Sequence, residues 1–136
     1  MRPFRIGSDC KFHLDIPPAN DTGAGANNGT GVARGTFDNV CALALAGAIG
    51  AASASDLKLQ ESDDNSVWTD IAGATAVQLG ATDDNKIHGV DARPQKKYVR
   101  AVQTVTGTGG VLVGVALVLY SGKSEPVTND PVITVV

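Results

Sequence analysis

The sequence predicts an all-β protein, an antiparallel β-sandwich of the jelly-roll type, on three observations. Apolar residues recur at every second position in several short runs, which is the period of a strand with one buried face. Gly, Asn and Asp cluster at the junctions between those runs, where turns call for them. Charged residues make up only 18% of the chain, leaving too little Glu, Lys and Arg for a helical bundle. At 136 residues the chain is expected to form one sandwich domain over 1–136, with a modest core.

Residues 9–16 alternate, with Cys10, Phe12, Leu14 and Ile16 on one face and Asp9, Lys11, His13 and Asp15 on the other. This is the pattern of a half-buried strand, and Pro17 and Pro18 are expected to stop it. Residues 17–35 read PPANDTGAGANNGTGVARG, nearly free of bulky apolar groups. They are predicted as a long Gly/Asn-rich surface loop that orders against a partner. In residues 37–49, Phe37, Cys41, Leu43, Leu45 and Ile49 share one strand face, while Ala42, Ala44, Ala46 and Ala48 share the other. An Ala-rich helix competes here, but Gly47, Gly50 and the alternation favour a strand whose alanine face lets another layer approach closely.

The run LQESDDNSV at 59–67 recurs loosely as LGATDDNKI at 79–87. Each copy reads as a strand end, a Ser/Thr-Asp-Asp-Asn turn and a strand start, so two successive hairpins are predicted. Tyr98–Thr106 is a further strand, led in by the basic residues Arg93, Lys96, Lys97 and Arg100. After a Gly-rich turn, Val111–Tyr120 is apolar on both faces, and a sheet with one wet face does not read this way. Something is expected to cover its second face. Residues 121–136, with Pro126 and Pro131 and an apolar end, are predicted as a C-terminal arm that needs a partner.

The search for chemistry finds little. A net charge of −3 argues against nucleic-acid binding. The longest strongly apolar run is about half the roughly 20 residues of a membrane-spanning helix. No charged leader precedes an apolar run, so synthesis in the cytosol is expected. His13 and His88 lie in no motif that would bring a second metal ligand. The two acidic turns lack the spacing of a calcium loop, the Gly runs match no phosphate loop, and no nucleophile elbow frames a Ser. The expectation is no catalytic, cofactor-binding or metal residue and no enzymatic activity. Cys10 and Cys41 read as small buried hydrophobes, with a disulfide left open. Trp68 reads as a core or interface anchor, with a sugar-stacking platform as the alternative.

Two stretches, LKLQESDDNSVWTDI at 57–71 and KYVRAVQTVTG at 97–107, resemble a pattern of tailed-bacteriophage virion proteins. In length and order the chain resembles the head cement (decoration) proteins, such as that of a Bordetella bacteriophage. The resemblance implies a jelly roll on the capsid exterior that clamps neighbouring capsomers of an HK97-like major capsid protein. It also implies self-association, as a homodimer or a trimer. The expected contact residues are Arg34, Arg93, Lys96, Lys97 and Arg100, with Val132, Ile133 and Val135 in the arm. A carbohydrate-binding β-sandwich and a metal-dependent cupin-like enzyme are the alternatives.

Overall fold

The computed structural model describes residues 3–122 and shows two antiparallel sheets enclosing one core. A helical turn, α1 (Ile6–Asp9), leads into β1 (Lys11–Asp21). There follow β2 (Gly25–Asn28), β3 (Val32–Ala33), β4 (Asn39–Ile49), β5 (Ala54–Ser62) and β6 (Thr69–Thr75). The remaining strands are β7 (Leu79–Gly80), β8 (Ile87–Ala92), β9 (Tyr98–Thr106) and β10 (Val111–Tyr120). One sheet has the order β1-β10-β4-β8. The other has the order β2-β9-β5-β6, with β3 also on β9 and β7 also on β5. Among the described residues the first and last strands lie side by side and the chain passes repeatedly between sheets, which is the jelly-roll sandwich the sequence predicts.

The alternating runs explain the core. Val40, Ala42 and Ala44 of β4 stand opposite Leu119, Leu117 and Val115 of β10, and all six are fully buried. Most of 37–49 thus forms a strand, β4, and Ala42, Ala44 and Ala46 turn inward while Ala48 is exposed. Leu57 and Leu59 of β5 meet them from the other sheet. A gap of about 10 Å between sheets holds one long side chain and one short one, so alanine faces leucine.

Three expectations change. Residues 17–35, expected as one loop, carry the end of β1 and the short strands β2 and β3. β2 pairs in register with β9, from Gly25 opposite Val105 to Asn28 opposite Val102. Such pairing uses backbone N–H and C=O groups, so a run of Gly and Asn joins a sheet without bulky side chains. Pro17 and Pro18 do not stop β1, because β1 is an edge strand and both fall in the register slip between Ile16 and Ala19, where neither is paired with β10. Its register slips on either side of Ile16.

The second change is that β1 is turned over ahead of its register slip, with Asp15 buried and Leu14 exposed, while Ile16 packs against the core as expected. The Asp15 carboxylate accepts the Ala101 N–H at 2.6 Å and the Gly31 N–H at 2.9 Å. His13 Nε2 lies 3.3 Å from the same group. Charge-assisted bonds to backbone donors are what let a carboxylate sit inside. Gly29 makes the room, since a Cβ there would overlap that carboxylate.

The third concerns the sequence echo. Its first copy is the predicted hairpin, β5 paired with β6. The second is a crossover, with β7 on β5 in one sheet and β8 on β4 in the other. Both turns place Asn in the left-handed region, Asn65 and Asn85 each at φ 60°. The partners differ: Asp64 accepts the N–H groups of Ser66 and Val67 in its own turn, whereas Asp84 accepts the Ile49 N–H of β4. The predicted arm, from residue 123 onward, lies outside the described residues, and so do Val132, Ile133 and Val135.

Candidate interaction surface

The two outer faces of the sandwich differ in kind. On the β5–β9 side the exposed pairs are polar. Arg100 Nε and a terminal nitrogen donate to Gln60 Oε1 at 2.9 and 2.8 Å, and Lys58 Nζ donates to Asp70 at 3.0 Å. The Gln60 amide first, and Lys58 second, hold the Asp70 carboxyl below its ordinary value of 3.8. The Arg100 guanidinium stacks on the Trp68 ring, 4.5 Å from its centroid, and burial lowers the Arg100 pKa. One face of the indole is therefore taken by this chain's own arginine.

On the β10–β4 side the outer face is apolar. Directly opposed residues of an antiparallel pair share a face. Phe12 stands opposite Val118 and Leu14 opposite Ala116. Across β10, Cys41 stands opposite Val118 and Leu43 opposite Ala116, and beyond them Leu45 stands opposite Ile87. Three of these side chains are widely open to solvent, Leu14 at 56%, Leu45 at 52% and Ile87 at 62%, as is Leu112 of β10 at 42%. On this face runs a groove of about 490 Å³ walled by Leu14, Pro18, Leu45 and Leu112. Pro18 packs over Gly114, where a Cβ would come within 2.7 Å of its ring. Large solvent-facing apolar patches of this sort mark contact surfaces.

The double-sided apolar pattern of Val111–Tyr120 is thereby resolved. One side, Val111, Val113, Val115, Leu117 and Leu119, is core; on the other, Leu112, Gly114 and Ala116 line the open groove. At one edge the Tyr120 hydroxyl donates to Asp91 at 2.6 and 2.7 Å, which pushes the phenol up to about 12. The neighbouring Cys41 thiol is raised, by burial first and by Asp91 second. Cys41 is a free thiol, and Cys10 is buried.

The basic contact candidates do not gather on this face. Arg34 serves its own fold: its Nε donates to the Lys96 carbonyl at 2.6 Å and a terminal nitrogen to the Phe37 carbonyl at 2.9 Å. Lys96 Nζ donates to Thr69 Oγ1 at 3.2 Å. Lys97 sits 5.8 Å from the Tyr98 ring centroid, and Arg93 is exposed. Sequence reading did not single out Leu14 or Ile87 as surface groups. Their signal was present only as apolar members of strands, and nothing local says which face of a strand turns outward.

Inside the sandwich runs a polar chain that the sequence did not reveal. Asn27 Nδ2 donates to Asp21 and, at 3.0 Å, to Gln103 Oε1. Gln103 Nε2 donates to Ser55 Oγ at 3.1 Å, and Ser55 Oγ lies 3.3 Å from His88 Nε2. His88 Nδ1 closes the chain on the Val77 carbonyl at 2.9 Å. The serine–histidine contact has the reach of a nucleophile and its base, yet Ser55 and Gln103 are wholly buried. No three His, Cys, Asp or Glu side chains among the described residues form a metal cluster.

Fold and surface together define the class: a jelly-roll β-sandwich with one charged and one apolar outer sheet. Comparison with known proteins places it among similar folds. No family model and no curated protein matches the sequence. Among solved structures the chain is similar to the PBSX exported protein XepA, with a TM-score of 0.64 at 16% identity. That match covers 99% of this chain but 45% of XepA, so the chain spans under half the length of that relative. Looser similarities are to the SPBc2 prophage-derived protein YomS (TM-score 0.47, 12% identity, 82% of this chain and 93% of that one). CBM35 from Cellvibrio japonicus Abf62 is similar at a TM-score of 0.42 and 14% identity, over 85% of this chain and 88% of its own.

Proposed function

We propose that this chain is a non-catalytic structural virion protein that binds the outer surface of a phage capsid and clamps neighbouring capsomers. The observation that carries the reading is the apolar outer face of the β1-β10-β4-β8 sheet, set against a charged face on the other side. A free protein gains nothing by exposing Leu14, Leu45, Ile87 and Leu112 to water, at roughly 25 cal/mol per Å² of apolar area. A shell of HK97-like capsid proteins would cover them. The resemblance of 57–71 and 97–107 to virion proteins supports the reading, as does a fold shared with XepA, described as a PBSX exported protein.

The face is small. Four strands about 4.8 Å apart and some six residues long make a projected area of roughly 400 Å², about half of the ~800 Å² per partner in a standard interface. Many symmetry-related copies on one shell turn such modest contacts into firm attachment. Self-association as a homodimer or trimer would extend each footprint over two capsomers.

The test is co-sedimentation with bare phage heads. The full chain should pellet with heads and raise the temperature at which they open. A Leu45→Lys, Leu112→Asp variant should keep its urea midpoint and lose binding. Failure of the full chain to bind, or undiminished binding by the variant, would overturn the proposal.

A carbohydrate-binding sandwich is the second reading, favoured by one feature. A cleft of about 380 Å³ between β1 and β2 is lined by Asp21, Asn27, Asn28 and Gln103, groups suited to sugar hydroxyls. A glycan-array signal lost on Asn28→Ala would favour it, and a blank array would remove it.

A further inference from the structure

The open groove raises the question of what covers it before a shell is present, because an exposed apolar sheet face invites aggregation. The chain itself holds a candidate. β10 is a central strand of the apolar sheet and delivers the chain at Tyr120 to the same sheet whose outer side forms the groove. Fourteen residues, 123–136, then lie beyond the described structure, and 132–136 read VITVV, without a charged side chain. We propose that in the free protein residues 132–136 of the same chain seat in the groove walled by Leu14, Pro18, Leu45 and Leu112, and that a stronger apolar partner displaces them.

Reach, size and chemistry agree. From Tyr120 back to the groove floor at Gly114 is about 20 Å along the strand, while the twelve residues from Tyr120 to Val132 extend to as much as ~40 Å. Five extended residues measure roughly 17 Å, close to the length of the strands they would cross. A second whole copy would have only about half of a standard interface on this face, whereas a short strand needs no more. β-branched Val and Ile match a groove of Leu, Pro and bare Gly, and they lose little side-chain freedom on seating. Tethering helps further: short linkers give effective concentrations near millimolar, so even a segment with a Kd of about 1 mM would be seated half of the time.

The displacement step rests on the adhesion reading; the seating does not. The test places a photo-cross-linking benzoylphenylalanine in place of Ile133 in the full chain at high dilution. Cross-links within one chain to peptides holding Leu14, Leu45 or Leu112 are the expected result. Leu45→Lys should cut their yield about tenfold, since a charge would then be buried against apolar groups. Removal of 132–136 should raise the fluorescence of a dye that reports apolar surface several-fold. Cross-links between chains, cross-links elsewhere, or none would overturn own-chain seating, and so would unchanged dye binding. If seating holds but neither full nor shortened chain pellets with heads, the adhesion reading alone fails. If the shortened chain binds heads no better than the full chain although both bind, the displacement step is overturned.

Discussion

Ser55 Oγ, on β5, reaches His88 Nε2, on β8, across the interior of the sandwich at 3.3 Å. The Val77 carbonyl can only accept, so His88 Nδ1 carries a proton, and in the neutral imidazole Nε2 then accepts from the serine hydroxyl. The chain from Asn27 to Val77 then runs along β2, β9 and β5 of one sheet and crosses to β8 of the other at the Ser55–His88 bond. Buried polar chains of this kind are costly when broken, because every remaining member loses a partner away from water.

Ser55→Ala removes the acceptor of Gln103 Nε2 and the donor to His88 Nε2. It is expected to destabilise the fold by about 1–3 kcal/mol. Urea unfolding should show a lower midpoint at unchanged slope. The double variant with Gln103→Leu should cost less than the sum of the singles, since both act on one chain of bonds.

Asp15 and Gly29 form a second dependent pair. Asp15→Ala strips the buried Ala101 N–H of its acceptor, for an expected loss of about 1–3 kcal/mol. Gly29→Ala should cost a similar amount by evicting the same carboxylate. In the double variant the two losses should not add, which unfolding of the three proteins would show directly.

At Asn65 and Asn85 the backbone is left-handed. Replacement by Ala is expected to cost about 1 kcal/mol at each site, and replacement by Gly close to nothing. Equal effects at both positions would show that the echoed turns share one conformation although one makes a hairpin and the other a crossover.

The pH dependence of the first turn has a definite sign. Hydrogen bonds from the N–H groups of Val67 and Ser66, and then from Ser62, hold the Asp64 carboxyl below its ordinary value of 3.8. Its folded pKa is thus depressed. The contribution is fully present above 3.8 and is lost as pH falls through the lower folded value. Asp64→Asn should be less stable than the parent at neutral pH, and the gap in urea midpoint should close on acidification.

Tyr120 behaves in the opposite sense. Its hydrogen bond to Asp91 raises the phenol from 10.0 to about 12, so its stabilising share is intact below pH 10.0 and disappears as pH rises toward about 12. Ultraviolet titration of tyrosinate should resolve one late-ionising residue. Asp91→Asn should bring that midpoint back toward 10.0.

Much of this fold is written locally. Tyr98–Thr106 and Val111–Tyr120, read as strands from their apolar runs and the Gly-rich turn between them, have the bounds of β9 and β10. The Asp-Asp-Asn turns sit where short polar side chains suit a left-handed residue. The interaction surface was half legible. That Val111–Tyr120 is apolar on both sides pointed to a face beyond the core, but Leu14 and Ile87 join it only through the pairing of four strands distant in sequence. Asp15 misled for the same reason. Its polarity argued for solvent, whereas backbone donors at Gly31 and Ala101, supplied by other strands, draw it inside.

The sequence by itself determined the longer strands, the Asp-Asp-Asn turns and the all-β class, since period and turn chemistry are properties of neighbouring residues. Tertiary structure alone decided which side of each strand is wet, which partner each strand takes, and hence that one outer sheet is apolar. A strand's two faces are equivalent until another layer covers one of them, and that choice is made by the summed burial of the whole sandwich rather than by any segment of it.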